Sequence, residues 1–171
     1  MVIGGYNSGN PQAATDVLNV GSNTSCGVPS FPRAIGGHGS AVTPIGIVAC
    51  GGENGCGTSD CGTSCYRLST ENKWVPFKSL KRTRAYFSMR YMDGFLWAIG
   101  GQHAKDSMEY IDLNNLDSSE WTVEDTPFSL YGQCITEYPD NRFLLIGGTT
   151  TVSESNIDKI EYRIINICSV L

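Results

Sequence analysis

Short apolar runs recur along the chain, and each is closed by a pair of glycines. The pairs are Gly4-Gly5, Gly51-Gly52, Gly100-Gly101 and Gly147-Gly148, and the steps between their first members are 47, 49 and 47 residues. The apolar runs before them cover residues 2–3, 47–50, 95–99 and 143–146. A period of this length is typical of an array of similar supersecondary units, so it predicts the architecture before any residue is considered for chemistry.

The pattern between glycine pairs predicts four short strands per unit. A second run contains Tyr66, Tyr110 or Tyr162, and residues 16–20 occupy its place in the first unit without a Tyr. A polar turn and then Trp74 or Trp121 follow. A further run precedes the next glycine pair, at residues 38–42, 86–91 and 133–138. These runs are rich in β-branched and aromatic residues, and no long stretch has a 3.6-residue apolar period, so we expect no substantial helix.

The combined order of apolar strand, glycine pair, Tyr strand and Trp strand resembles the kelch repeat over nearly the whole chain. The resemblance implies an all-β fold, a partial kelch-type β-propeller of four-stranded antiparallel blades. We assign a partial blade to residues 1–30, blades to residues 31–78 and 79–127, and a partial blade to residues 128–171. The glycines would allow close backbone approach, and the Tyr and Trp side chains would fill the space between blades. The pair Gly36-Gly37 falls outside this register and is assigned to a linker.

Length bears on whether the ring of blades closes. The 171 residues hold about three and a half units, whereas propellers typically close with about four to eight blades. The chain begins and stops inside a unit, so we expect a fragment of a longer propeller. Assembly of two copies into one ring is the alternative.

Charge narrows the classes of partner. The net charge is −5 and the isoelectric point is about 4.9, which argues against a nucleic-acid partner because phosphate binding needs a basic face. The sequence has no run of 18 apolar residues, so we expect no transmembrane helix. A local basic group around Lys78, Lys81, Arg82 and Arg84 is either a solvated linker or a docking point for an acidic peptide. Arg82 and Arg84 are therefore the candidate partner-facing residues.

The kelch resemblance adds a second interpretation of one of these residues. Kelch units often carry an Arg in the linker before the first strand, a place that Arg84 fits and that Arg33 approaches in the previous unit. Such an Arg can lock blades together or contact a ligand, and both roles stay open here.

Four of the seven cysteines lie within residues 50–65. Cys50 and Cys65 fall at the ends of neighbouring antiparallel strands, where opposed Cα atoms are about 5 Å apart and a disulfide fits. The hypothesis is a nested arrangement, Cys50–Cys65 around Cys56–Cys61, while Cys134 and Cys168 could pair and Cys26 is left over. Zinc binding and a reduced, redox-sensing cluster are the alternatives.

The cysteines also bear on location. Disulfides persist in oxidising compartments, so an extracellular or secreted protein is favoured and a cytoplasmic one is the alternative. The glycosylation sequon at residues 23–25 agrees with secretion.

Catalytic motifs are not evident. His38 and His103 are the two histidines, and neither has a His partner at helical or hairpin spacing. The nucleophile elbow of α/β-hydrolases, the phosphate-binding P-loop and the Asp-box of sialidases do not occur. The sequence therefore predicts no enzyme, no cofactor and no metal site. An enzyme resembling galactose oxidase ranks last, because two histidines give no basis for its copper ligands.

The favoured function is a non-enzymatic protein-binding module. Kelch propellers usually present loops on one face to a protein or peptide, and the candidate loops here are residues 53–63, 102–107 and 149–156. The alternative is the substrate-receptor propeller of a cytosolic BTB-kelch cullin ubiquitin ligase adaptor, because residues 80–101 resemble those units.

Overall fold

The computed structural model describes residues 1–17, 27–53, 62–139 and 142–149, and the backbone of residues 162–166. All the elements within these residues are β-strands. The first unit comprises β1 (Val2–Ile3) paired with β4 (Thr15–Asp16), and a hairpin of β2 (Tyr6–Asn7) and β3 (Asn10–Pro11). The expected strand at residues 16–20 therefore begins earlier, and residues 18–26 lie outside the described part.

Two complete four-stranded antiparallel sheets follow. The second blade has the order β5 (Gly39–Thr43), β6 (Gly46–Cys50), β7 (Cys65–Leu68) and β8 (Trp74–Phe77). The third blade has the order β9 (Ser88–Met92), β10 (Phe95–Ile99), β11 (Ser107–Asp112) and β12 (Thr122–Asp125).

The fourth unit contributes three strands, β13 (Cys134–Tyr138), β14 (Arg142–Ile146) and β15 (Tyr162–Asn166). The first strands of neighbouring units, β5 with β9 and β9 with β13, contact each other. Sheets joined at their first strands in this way form a partial β-propeller, as the repeat period predicted.

Apolar side chains pack between the sheets in three clusters. One joins the first unit and the second blade through Ile3, Phe31, Ile35 and Ala49. A larger one joins the second and third blades; it includes Val48, Cys50, Cys65, Leu80, Phe87, Met89, Leu96, Ala98, Ile111 and Trp121. The third joins the third blade and the fourth unit through Trp97, Ile99, Met108, Leu130, Phe143 and Leu145. The sheets of the second and third blades are therefore apolar on both faces, because a neighbouring unit covers each face.

Several of the repeating glycines lie close to linker residues. Gly101 has φ of 101°, and a Cβ there would lie 2.6 Å from the Cβ of Phe87 and 2.9 Å from the carbonyl oxygen of Ala85. Such a contact is too close for any side chain, and the dihedral favours glycine. Close approach of the third-blade linker thus explains why this position is glycine.

The strand register corrects the expected equivalence of the three tyrosines. Tyr66 pairs with Ala49, Tyr110 with Trp97 and Tyr162 with Ile146. These three partners stand at three different sequence distances from the glycine pair that follows each of them. Side chains alternate along a strand, so a shift of one residue moves the side chain to the other face of the sheet. Tyr66 packs in the cluster beside the first unit, and Tyr110 in the cluster beside the fourth unit.

The two tryptophans of the repeat pattern, Trp74 and Trp121, occupy matching positions. The indole N–H of Trp74 donates to the carbonyl of Pro29 at 3.0 Å, and that of Trp121 donates to the carbonyl of Lys78 at 2.7 Å. Both acceptors lie in the linker that leads into the blade. Each Trp therefore ties the outermost strand of its own blade to the preceding linker.

Candidate functional site

The turns after the glycine pairs and the linkers between units lie at the same end of the sheets. Backbone bridges join Gly36 to Glu53, Ala85 to Gln102, and Tyr131 to Thr149. In each bridge a linker residue meets the residue that follows a glycine pair. We call this end the loop face, defined by Tyr6, Glu53, Gln102 and Thr149 with the linker residues 35–37, 84–86 and 130–132.

Successive linkers are also bonded to one another at the loop face. The backbone N–H of Tyr86 donates to the carbonyl of Gly37 at 2.6 Å, and that of Gly132 donates to the carbonyl of Tyr86 at 2.6 Å. Gly37, Tyr86 and Gly132 occupy equivalent positions. In each linker, the carbonyl two residues earlier accepts a hydrogen bond from the second glycine of the preceding pair, as the carbonyl of Arg84 does from Gly52. These bonds hold the residues of different blades in fixed positions.

Arg84, predicted as partner-facing, is fully buried instead. Its guanidinium donates to the carboxylate of Glu109 at 2.9 Å, to the carbonyls of Gly100, Ala104 and Ser107, and to the hydroxyl of Ser107. Burial lowers the pKa of Arg84, and the charge of Glu109 opposes that shift. A residue with its donors used inside the blade cannot face a partner, so the prediction was wrong.

Glu109 was missed by the sequence reasoning. It is fully buried and accepts from the backbone N–H of Lys81 at 2.6 Å and of Arg82 at 3.1 Å. It pairs with Ala98, as Tyr66 pairs with Ala49 in the second blade. The available signal was an acidic residue flanked by Met108 and Tyr110 in an apolar strand. The Arg84–Glu109 pair fixes the linker before β9 to the third blade.

Arg33 makes a matching contact in the second blade. Its guanidinium donates to the carbonyl of Gly51 at 2.7 Å, the same distance as from Arg84 to the carbonyl of Gly100. Both arginines thus hold the first glycine of a pair. This geometry supports the blade-locking role.

Arg82 is the predicted partner-facing residue that stays exposed. Its side chain is 43% exposed and lies 3.4 Å from the carboxylate of Asp125. Two members of the basic group therefore differ in environment, because Arg84 forms a buried ion pair and Arg82 forms an ion pair at the surface. A contact of Arg82 with a partner remains a prediction.

A cluster of three polar side chains lies on the loop face. The hydroxyls of Tyr6 and Tyr86 donate to Oε1 of Glu53 at 2.8 and 2.5 Å, and they lie 3.0 Å from each other. Hydrogen bonds from Tyr86 and Tyr6 lower the pKa of Glu53. Burial and these bonds raise the pKa of Tyr6, and the bond to Glu53 raises that of Tyr86. The cluster therefore holds one carboxylate and two neutral phenols at neutral pH.

No local sequence pattern pointed to this cluster, because its members come from three units. The pair Gly36-Gly37 makes room for it. A Cβ on Gly36 would lie 2.2 Å from the ring of Tyr6, and one on Gly37 would lie 3.1 Å from the ring of Tyr86. The glycine pair is a linker, as predicted, and it also supports both aromatic rings.

The predicted Cys50–Cys65 disulfide is confirmed. The two residues are directly paired across β6 and β7 with Cα atoms 4.1 Å apart. The bond excludes both from a zinc site or a reduced cluster. Cys134 is an exposed free thiol. Cys26, Cys56, Cys61, Cys168 and the sequon lie outside the described residues.

The described residues bring no further chemistry together. None of their His, Cys, Asp and Glu side chains form a group of three that could hold a metal ion. In the same part of the chain, no helix is long and apolar enough to span a membrane. The described part of the candidate loops comprises Glu53, residues 62–63, residues 102–107 and Thr149.

Comparison with known proteins gives matches in sequence and in structure. A protein of cowpox virus strain GRI-90, described as Kelch repeat and BTB domain-containing protein 2, is 29% identical over 149 residues, or 85% of this chain. The corresponding protein of horsepox virus is 27% identical over the same share. The chain spans about a quarter of the length of these relatives, 26% in each case. No protein-family model matches.

The solved structure of YjhT matches 72% of this chain and 37% of its own, with a TM-score of 0.57 and 15% sequence identity. That match supports the fold. The class defined by the repeat period, the four-stranded antiparallel blades and this fold match is the partial β-propeller. The chain is similar to the kelch-repeat proteins of poxviruses over 85% of its length.

Proposed function

We propose that this chain is a non-enzymatic protein-binding propeller module that receives a protein or peptide on its loop face. The observation that carries the proposal is the fixed Tyr6–Glu53–Tyr86 cluster, in which two exposed side chains and the half-buried Tyr86, each from a different unit, meet on a rigid backbone. Aromatic residues that present both a ring and a polar tip are enriched in protein interfaces. Interlocked linkers below them reduce the entropy lost on binding.

Site-directed photo-crosslinking tests the location of the partner. A photoreactive amino acid replaces His103, exposed beside the loop face, or Asp117, exposed in the turn after β11 at the opposite end of the same blade. A partner bound to the loop face crosslinks from position 103 and not from 117. The crosslinked protein, once identified and purified, should bind the wild-type chain directly. Equal crosslinking from both positions, or no direct binding, contradicts the proposal.

A second candidate is the substrate-receptor propeller of a BTB-kelch ubiquitin ligase adaptor. It is favoured by the curated relatives, whose descriptions name both kelch repeats and a BTB domain. The Cys50–Cys65 disulfide favours a secreted protein instead. Alkylation and mass spectrometry of the protein from its native cells separate the two, since an oxidised Cys50–Cys65 pair supports secretion and free thiols support the adaptor.

A further inference from the structure

The Tyr6–Glu53–Tyr86 cluster carries a negative charge that takes part in no ion pair within the described residues. His103 makes a minor electrostatic contribution to the lowered pKa of Glu53. Ion pairs within the described residues join Lys73 to Glu71, Lys78 to Glu120, Arg82 to Asp125, Arg84 to Glu109, and Arg90 to Glu137. Glu53 takes part in none of these pairs. Its Oε1 accepts from two phenols, and within the described contacts its Oε2 accepts from no donor. One carboxylate oxygen is therefore held in place while the other faces no described partner.

The two tyrosines add what a cation needs besides a carboxylate. Aromatic faces attract ammonium and guanidinium groups, most of all when the same site supplies a hydrogen-bond acceptor. Tyr6 is 43% exposed, so its ring is accessible from solvent, and its buried side rests on Gly36. Tyr86 rests on Gly37.

The cluster is also organised before a partner arrives. Tyr86 has φ of 53°, a left-handed conformation that is costly for a tyrosine, and its backbone is bonded to Gly37 and Gly132 on either side. These bonds direct its side chain toward Glu53. A site that is already ordered loses little entropy when a cation binds.

From these contacts we infer that the Tyr6–Glu53–Tyr86 cluster recognises an Arg or Lys side chain of the partner. The inference rests on the proposed function and adds the chemistry of the partner to it. It replaces the acidic peptide that was one of two interpretations of the basic group, because Arg84 is buried and Arg82 is paired with Asp125. The net charge of −5 would also attract a basic partner over longer distances.

Selection from a display library of random 12-residue peptides tests the inference. The wild-type chain, Glu53→Gln, Glu53→Lys and Glu71→Gln serve as targets. Glu71 is the matched control, because its exposed carboxylate lies in the turn between β7 and β8 at the other end of the second blade. Thermal unfolding of each target checks that it is folded.

Wild type and Glu71→Gln should enrich peptides with Arg or Lys, and Glu53→Gln should bind those peptides about tenfold more weakly. Glu53→Lys should enrich Asp or Glu instead. Tyr86→Phe, which keeps the ring and loses the hydroxyl, should weaken binding less than Tyr86→Ala.

The outcomes separate this inference from the proposed function. Peptides without basic residues that lose affinity in Tyr6→Ala or Tyr86→Ala overturn the cationic partner and leave binding at the loop face intact. Basic peptides that bind Glu53→Gln as tightly as wild type, but lose affinity in the tyrosine variants, also overturn the cationic partner and leave binding at the loop face intact. Peptides unaffected by all three positions, or no enrichment from the wild type, overturn both.

Discussion

Burial sets the protonation of His38, which precedes β5 in the second blade. Desolvation and the charge of Arg33 lower its pKa to about 4. Its ring stacks on Phe31 with centroids 6.4 Å apart, and a Cβ on Gly52 would lie 2.9 Å from the Cβ of His38. The imidazole is therefore neutral at pH 7 and is half-buried against Phe31.

The lowered pKa makes stability depend on pH. Because the unfolded chain takes up a proton at His38 near pH 6.5 and the folded chain only near pH 4, this stabilisation is present above pH 6.5 and is lost as the pH falls toward 4. The loss is on the order of 2–3 kcal/mol. Urea unfolding between pH 7 and 4 should show a shallower decline for His38→Gln than for wild type or for the exposed control His103→Gln. Parallel profiles for all three would contradict it.

Glu53 offers a second measurement on a single side chain. The hydrogen bond from Tyr86 is the largest cause of its lowered pKa, so Tyr86→Phe should raise the pKa of Glu53 toward its ordinary value. Carboxyl-carbon chemical shifts followed through a pH titration report the change. Tyr91→Phe is the control, since Tyr91 makes no described contact with Glu53. An unchanged midpoint in Tyr86→Phe would refute the arrangement.

At the scale of elements, side-chain hydrogen bonds add to the backbone bonds that hold the linkers of the second and third blades. Arg84 and Glu109 provide these bonds in the third blade, and Trp121 adds one through the carbonyl of Lys78. In the third-blade linker, the backbone N–H groups of Lys81 and Arg82 bond to the carboxylate of Glu109 rather than to a strand backbone. The linker side chains are therefore part of the architecture as much as the strand pairing is.

Removing one partner of the buried ion pair should be severe. Arg84→Met leaves the carboxylate of Glu109 buried without its cation, which costs roughly 3–5 kcal/mol in such pairs. The double variant Arg84→Met/Glu109→Met should lose less than Arg84→Met alone, because no charge stays buried. Arg82→Met is the control and should lose less than about 1 kcal/mol. Denaturant unfolding measures all three, and a double variant as unstable as the single one would count against a buried charge.

The disulfide makes a separate contribution within the second blade. Cys50 and Cys65 are 15 residues apart in sequence, and a crosslink of that span stabilises by about 3 kcal/mol in the chain-entropy account. Cys50→Ala/Cys65→Ala should therefore be less stable by about that amount in calorimetry, whereas Cys134→Ala should not change. Equal stability of the double variant and wild type would show that the crosslink adds nothing.

On the scale of the whole molecule, each blade is stabilised by its neighbours. Every apolar cluster contains residues of two adjacent units, and the largest joins the second and third blades. Stability in such an array depends on nearest-neighbour interfaces. A change in one interface is therefore felt by two blades.

Leu96→Ala tests the central interface. Leu96 is fully buried in the largest cluster, so the truncation should cost roughly 2–5 kcal/mol. Val42→Ala is the control, because Val42 is 77% exposed and should change stability by less than about 0.5 kcal/mol. Hydrogen exchange should show faster exchange in both β7 and β10 of Leu96→Ala. Loss of protection in β10 alone would argue against a shared interface.

The sequence by itself determined the repeat period, the four strands of a blade, the glycine pairs that follow the apolar strands, and the opposed positions of Cys50 and Cys65. These features follow from short-range alternation and from backbone limits that act on neighbouring residues.

Only the tertiary structure decided which faces Tyr66 and Tyr110 occupy, that Arg84 is buried against Glu109, and that Tyr6, Glu53 and Tyr86 meet. A register shift of one residue changes the face of a side chain without changing the pattern much. These contacts join residues 25 to 80 positions apart, such as Arg84 with Glu109 within one unit and Tyr6 with Tyr86 between units. Such contacts depend on how whole blades stack, and no local pattern encodes them.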